Sequence, residues 1–94
     1  MKLPEALATM QSPDVWPFAV MLPLVHRTRL DDSGSPLCGL LARGHGSRLY
    51  LANVCDFTRS ELHSQKEFER ALRGFESVAY ISFAAIIGDG WRID

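Results

Sequence analysis

The chain has 94 residues, 47% of them hydrophobic and 22% charged, with ten Lys and Arg against eleven Asp and Glu. That length suits one domain spanning residues 1–94, and a net charge of −1 argues against a dedicated nucleic-acid coat or an acidic mimic of DNA. The apolar share fits a folded chain, and no apolar run approaches the ~20 residues that span a bilayer.

The N-terminal Met1-Lys2-Leu3-Pro4-Glu5 does not read as a secretory signal, because Glu5 interrupts any apolar stretch after Lys2. The expected compartment is therefore the cytoplasm. Residues 4–11 read as a short helix: Pro4 suits the first turn, and Leu3, Leu7 and Met10 recur at helical spacing. Ser12-Pro13-Asp14 ends it, since the residue before proline avoids helical geometry.

Residues 18–29 read as extended, with Phe18, Val20, Leu22 and Leu24 on one parity. Pro23 cannot donate to a ladder, so an edge strand or a break is expected there. Asp31 to Pro36 concentrates small polar residues, glycine and proline, and reads as a loop.

Residues 37–56 read as a central hairpin, with Leu37 to Arg43 and Arg48 to Cys55 flanking Gly44-His45-Gly46-Ser47. A two-residue His45-Gly46 turn sets Arg43 opposite Arg48, Ala42 opposite Leu49, Leu41 opposite Tyr50 and Cys38 opposite Asn53. Away from the tip both faces are apolar, so the hairpin needs cover on both sides.

Residues 64–73 carry the best helix signal. Ser64 with Glu67 makes a capping box, Phe68, Ala71 and Leu72 make an apolar stripe, and Gly74 follows. Thr58 with Glu61 is a second start. In the tail, Val78 to Ile81 reads as a strand, Ser82 caps a short helix through Ile87, and Trp91 to Ile93 returns as a last strand. The rival reading is one strand from Val78 to Ile87. The whole is an α+β domain: a small, mostly antiparallel sheet, one well-defined helix and one or two short ones.

No catalytic constellation stands out. His45 with Ser47 lies between turn glycines and lacks a nucleophile elbow or an identifiable acidic partner. Cys38, Cys55, His26, His45 and His63 match no metal-ligand spacing, and the two cysteines read as buried free thiols. The carboxylates Asp31-Asp32 and Glu67 with Glu69 are a turn and a helix surface. No phosphate-binding glycine loop is present, so no cofactor is expected.

The arginines carry the remaining signal. Arg43 and Arg48, placed opposite each other, would repel, and an anionic partner would relieve that. Tyr50, diagonal to Arg43, and Arg27 complete a candidate anion- or partner-binding set. The sequence thus points to a small non-enzymatic interaction module acting through protein–protein contacts. A homo-oligomer or another protein is the expected partner, because one helix leaves part of a doubly apolar sheet uncovered. An accessory nucleic-acid or anion binder using the hairpin arginines is the alternative. No membrane partner is expected.

Overall fold

A computed structural model describes residues 3–94. Met1 and Lys2, part of the N-terminal stretch weighed as a signal, lie outside the described residues. The fold is α+β. Helices α1 (Leu3–Met10), α2 (Arg59–His63), α3 (Gln65–Leu72) and α4 (Phe83–Gly88) accompany strands β1 (Met21–Leu30), β2 (Pro36–Ala42), β3 (Arg48–Tyr50), β4 (Ser77–Ala79) and β5 (Trp91–Ile93). The strands form one antiparallel sheet in the order β4-β3-β2-β1-β5.

Both faces of this sheet are covered by the chain's own helices. Leu22, Leu24, Leu41, Leu49 and Trp91 pack with Met10 of α1 and Ile86 of α4. Met21, Leu40 and Ala42, of opposite parity, pack with Phe68 and Leu72 of α3 and with Phe57. Fully burying a side chain the size of Phe68 contributes about 1.5–3 kcal/mol. The uncovered second face expected from the sequence is therefore not present, since α1 and α4 occupy it.

The hairpin register differs from the expectation by one residue. Leu40 pairs with Tyr50 and Leu41 with Leu49, so Arg43 and Arg48 are not cross-strand neighbours. The turn accounts for this. Gly44 and Gly46 both take positive φ, 84° and 61°, on either side of His45, and the connection between β2 and β3 covers residues 43–47. A longer connection shifts the pairing, and with period-2 alternation a one-residue shift moves every side chain to the other face. Tyr50 thereby joins Leu40 rather than Leu41. β3 also ends at Tyr50, and Asn53 instead caps a 3-10 turn over Val54–Asp56.

Pro23 neither breaks β1 nor marks an edge strand. It pairs with Leu40 of β2, and β1 is flanked on both sides. Its carbonyl accepts from Asp94 N–H on the β5 side, so its missing donor falls where the β5 ladder ends. The two helix starts are both used. Thr58 caps α2 and Ser64 caps α3, giving two short helices rather than one longer one. Ser82 caps α4 by accepting from Ala85 N–H, which decides the tail in favour of the short helix. Both cysteines are free thiols, but not buried ones: Cys38 is half-buried and Cys55 exposed.

Candidate functional site

The four arginine and tyrosine residues singled out from the sequence do not converge. Arg43 lies beside the segment ahead of β1 and pairs with Asp14, Nη2 to Oδ1 at 2.8 Å. Arg48 turns the other way and donates to Ser77 Oγ of β4 at 2.9 Å. Tyr50 is engaged by His45 at 2.9 Å. Arg27 lies six positions along β1 from Met21, the partner of Ala42, which is roughly 20 Å at strand rise. The repulsive pair that motivated an anion site at the hairpin tip is absent.

The structure builds two other arrangements. The first is a hydrogen-bonded chain from β3 through the hairpin loop to α3. His45 Nε2 sits 2.7 and 2.8 Å from the two carboxylate oxygens of Glu69. A carboxylate only accepts, so Nε2 carries the proton. In the neutral ring Nδ1 then accepts from the Tyr50 hydroxyl at 2.9 Å. Gln65 Nε2 donates to Glu69 Oε1 at 2.8 Å and spans toward the Arg43 carbonyl at 3.5 Å. Hydroxyl, imidazole and carboxylate stand in the order of a nucleophilic triad. Ser47, adjacent in sequence, is not part of it and donates to the Tyr80 carbonyl at 2.6 Å. The groove between α1 and β5, described below, is not lined by Tyr50, His45 or Glu69. The chain acts as a staple holding the loop on α3. The acidic partner of His45 was invisible in the sequence because it lies 24 positions away.

The second arrangement is a groove of about 620 Å³ between α1 and β5. Leu3, Ala6, Met10, Ile87, Trp91 and Ile93 give it apolar walls, and Arg27 and Arg92 also line it. β5 is the outermost strand on this side. Arg27 N–H bonds the Gly90 carbonyl and Asp94 N–H bonds the Pro23 carbonyl, so alternate residues of this stretch face β1. The N–H and C=O groups of the intervening Trp91 and Ile93 point outward along the free edge. Neither Arg27 nor Arg92 has a carboxylate partner among the described residues.

His26 precedes Arg27 of the groove lining and pairs with Trp91. It is 5% exposed and sits where the pairing with β2 is interrupted between Val25 and Leu30. Its Nδ1 accepts from the N–H groups of Thr28 at 3.1 Å and Arg29 at 3.0 Å, which the ladder leaves free. Nδ1 is therefore the unprotonated nitrogen, and Nε2–H donates to the Asp89 carbonyl at 2.6 Å. The imidazole thus ties the irregular part of β1 to the turn before β5. Its ring also meets Trp91 edge-on at 5.0 Å.

Elsewhere Asp31 Oδ1 gathers Ser33 N–H, Ser33 Oγ–H and Ser35 N–H, and these bonds, the Ser33 hydroxyl first, hold its carboxyl below the usual aspartate value. This is a closed turn with its acceptor already used. No helix among the described residues is long and apolar enough to cross a membrane. Comparison of the chain with protein-family models, with curated proteins and with solved structures gives no match.

Proposed function

We propose that this domain is a non-enzymatic interaction module whose contact surface is the outer edge of β5 with the groove beside it. Its partner is an extended segment in which apolar and acidic residues alternate. The observation that carries this reading is an unpaired strand edge lying directly against a groove lined by apolar side chains and two arginines. A strand added to such an edge gains main-chain hydrogen bonds, while every second side chain enters the groove. Trp91 pairs with His26 and Ile93 with Leu24, whereas Arg92, of the other parity on β5, pairs with Val25 and also lines the groove. An added strand would present its other side chains beside Arg92, where acidic residues complement the unpaired guanidinium.

Two labelled peptides test this by fluorescence polarisation, one alternating Val and Glu and one alternating Val and Lys. The Val-Glu peptide should bind and the Val-Lys peptide should not. Ile93→Pro removes an outward N–H while sparing the ladder to β1, and should weaken binding at least about tenfold. Arg92→Glu should do the same and lower the salt sensitivity. Equal binding of both peptides, or an Ile93→Pro variant that binds like the parent, rejects the reading.

Self-association is favoured by a separate observation on the opposite edge. Val78 of β4 is exposed and the neighbouring Ile81 is 95% exposed. Pairing of β4 with a second copy would cover both. Light scattering on the parent and on Ile81→Asp decides it: a dimer lost in the variant supports pairing, and a monomeric parent ends it.

A further inference from the structure

We propose that Cys38 and Cys55 form an oxidation-responsive dithiol that closes to an intramolecular disulfide under a two-electron oxidant such as hydrogen peroxide. The geometry rests on Asn53. Its Nδ2 donates to Cys38 Sγ at 3.3 Å, and Cys55 Sγ–H donates to its Oδ1 at 3.2 Å. The amide nitrogen and oxygen sit on one carbon, so each sulfur is a single hydrogen bond from the same small planar group. The two sulfurs have unlike settings. Cys38 belongs to β2, paired to Val25 of β1, and is fixed by the sheet. Cys55 lies inside the short 3-10 turn and is exposed.

The unlike settings assign the order of events. Cys55 faces solvent and meets the peroxide first. Its thiolate attacks the O–O bond, forming Cys55–S–OH and releasing hydroxide. Cys38 is held in reserve. Burial raises its thiol, and the carboxylates of Asp94, Asp31 and Asp56 act in the same direction, so it stays protonated until the sulfenic acid is beside it. Cys38 then loses its proton to water and attacks the Cys55 sulfur. The S–S bond forms, the S–O bond breaks, and the departing hydroxide takes up a proton. Two thiols and one peroxide give one disulfide and two waters. The Asn53 side chain must leave the space between the sulfurs. Its backbone N–H bond to Asp56 Oδ2, at 2.8 Å, does not use that side chain and survives the move, whereas the bond from Cys55 N–H to Asn53 Oδ1, at 3.3 Å, is given up. The closed bridge would tie β2 to the turn that leads into α2.

The test uses the full chain, reduced and freed of reductant, then exposed to hydrogen peroxide in native buffer and, separately, in denaturant. Remaining thiols are alkylated and the intact mass is read. The expected product is a monomer lighter by about 2 Da, carrying no alkyl group and yielding one cross-linked Cys38–Cys55 peptide. It should form at least about tenfold faster in native buffer than in denaturant, because the fold holds the sulfurs together. Cys38→Ser should instead leave Cys55 trapped by a sulfenic-acid reagent. Native protein with Cys38 still alkylable and Cys55 over-oxidised, dimers linked between chains, or a bridge that forms no faster in the folded chain would each overturn the proposal.

Discussion

Gly90 has φ +106°, and a Cβ built there would lie 2.6 Å from His26 Cε1 and 2.8 Å from Nε2. The imidazole cannot swing aside, because three hydrogen bonds and near-complete burial hold it. Gly90→Ala therefore combines backbone strain with overpacking and should destabilise by about 2–6 kcal/mol in equilibrium denaturation, adding strain of about 1–3 to a crowding term of similar size. Tyr80 is the second residue whose chemistry makes a measurable claim. Its hydroxyl donates to Asp89 Oδ2 at 2.6 Å and accepts from Trp91 Nε1 at 3.3 Å. Burial first, then the bond to Asp89, raises the phenol above its ordinary value. The folded state thus favours the protonated phenol, so its contribution is complete below the unfolded value near ~10 and is lost as pH rises through the raised folded value. Tyr80→Phe should cost about 1–2 kcal/mol at pH 7, since it strips the indole N–H of its acceptor. The gap between parent and variant should narrow in alkaline buffer; a gap independent of pH would contradict the assignment.

At the scale of elements, the caps make distinguishable claims. Thr58 and Glu61 form a reciprocal box, with Thr58 N–H bonded to Glu61 Oε1 at 2.7 Å and Glu61 N–H to Thr58 Oγ1 at 3.2 Å. Ser64 receives Glu67 N–H at 3.3 Å, but the Glu67 carboxylate does not return the bond. Ser64→Ala should cost about 0.5–2 kcal/mol, as a cap does. Glu61→Ala should be more damaging than Glu67→Ala, and equal urea midpoints for the two would show that the boxes are equivalent. The helix starts were legible because a cap is a local pattern of three or four residues, although the box expected at Ser64 lacks its return bond from Glu67. The same holds for α1, for α4 behind Ser82, and for the loop around Asp31. The register of β2 and β3 was not legible. Leu40, Leu41, Leu49, Tyr50 and Leu51 offer an apolar side chain at either parity, so hydrophobic alternation cannot choose between neighbouring registers. The turn chooses, through two positive-φ glycines whose joint geometry the letters Gly-His-Gly leave open. The groove beside β5 was not legible; Arg27 was singled out only as a companion of the hairpin arginines. Its walls come from residues 3–10 and 87–93, whose meeting is a property of strand order rather than of any local spacing.

The whole molecule is one sheet serving two apolar layers, and this arrangement constrains how it unfolds. Neither layer has a sheet of its own: Leu40 and Leu41, adjacent in β2, face opposite layers. Loss of one layer should expose the other side of the same strands, so the two should melt together. The aromatic residues allow a direct reading. Trp16 and Trp91, the chain's two tryptophans, both belong to the layer under α1 and α4, and the layer under α3 holds none. Phe68 is fully buried in the α3 layer, against Phe57 at a ring separation of 4.8 Å. Phe68→Ala should remove about 3–5 kcal/mol, a large share of the ~5–14 expected for a chain of this size. Phe68→Leu provides a milder variant should the alanine form fail to fold. In urea, tryptophan fluorescence and far-ultraviolet circular dichroism should shift to one common, lower midpoint in the variant, although the substitution lies on the face without tryptophan. Coincidence of the probes is the signature of a single cooperative unit. A fluorescence transition that stays at the parent's midpoint while the dichroism moves would show that the α1–α4 layer stands without the α3 layer, and the sheet would then not be the element that couples them.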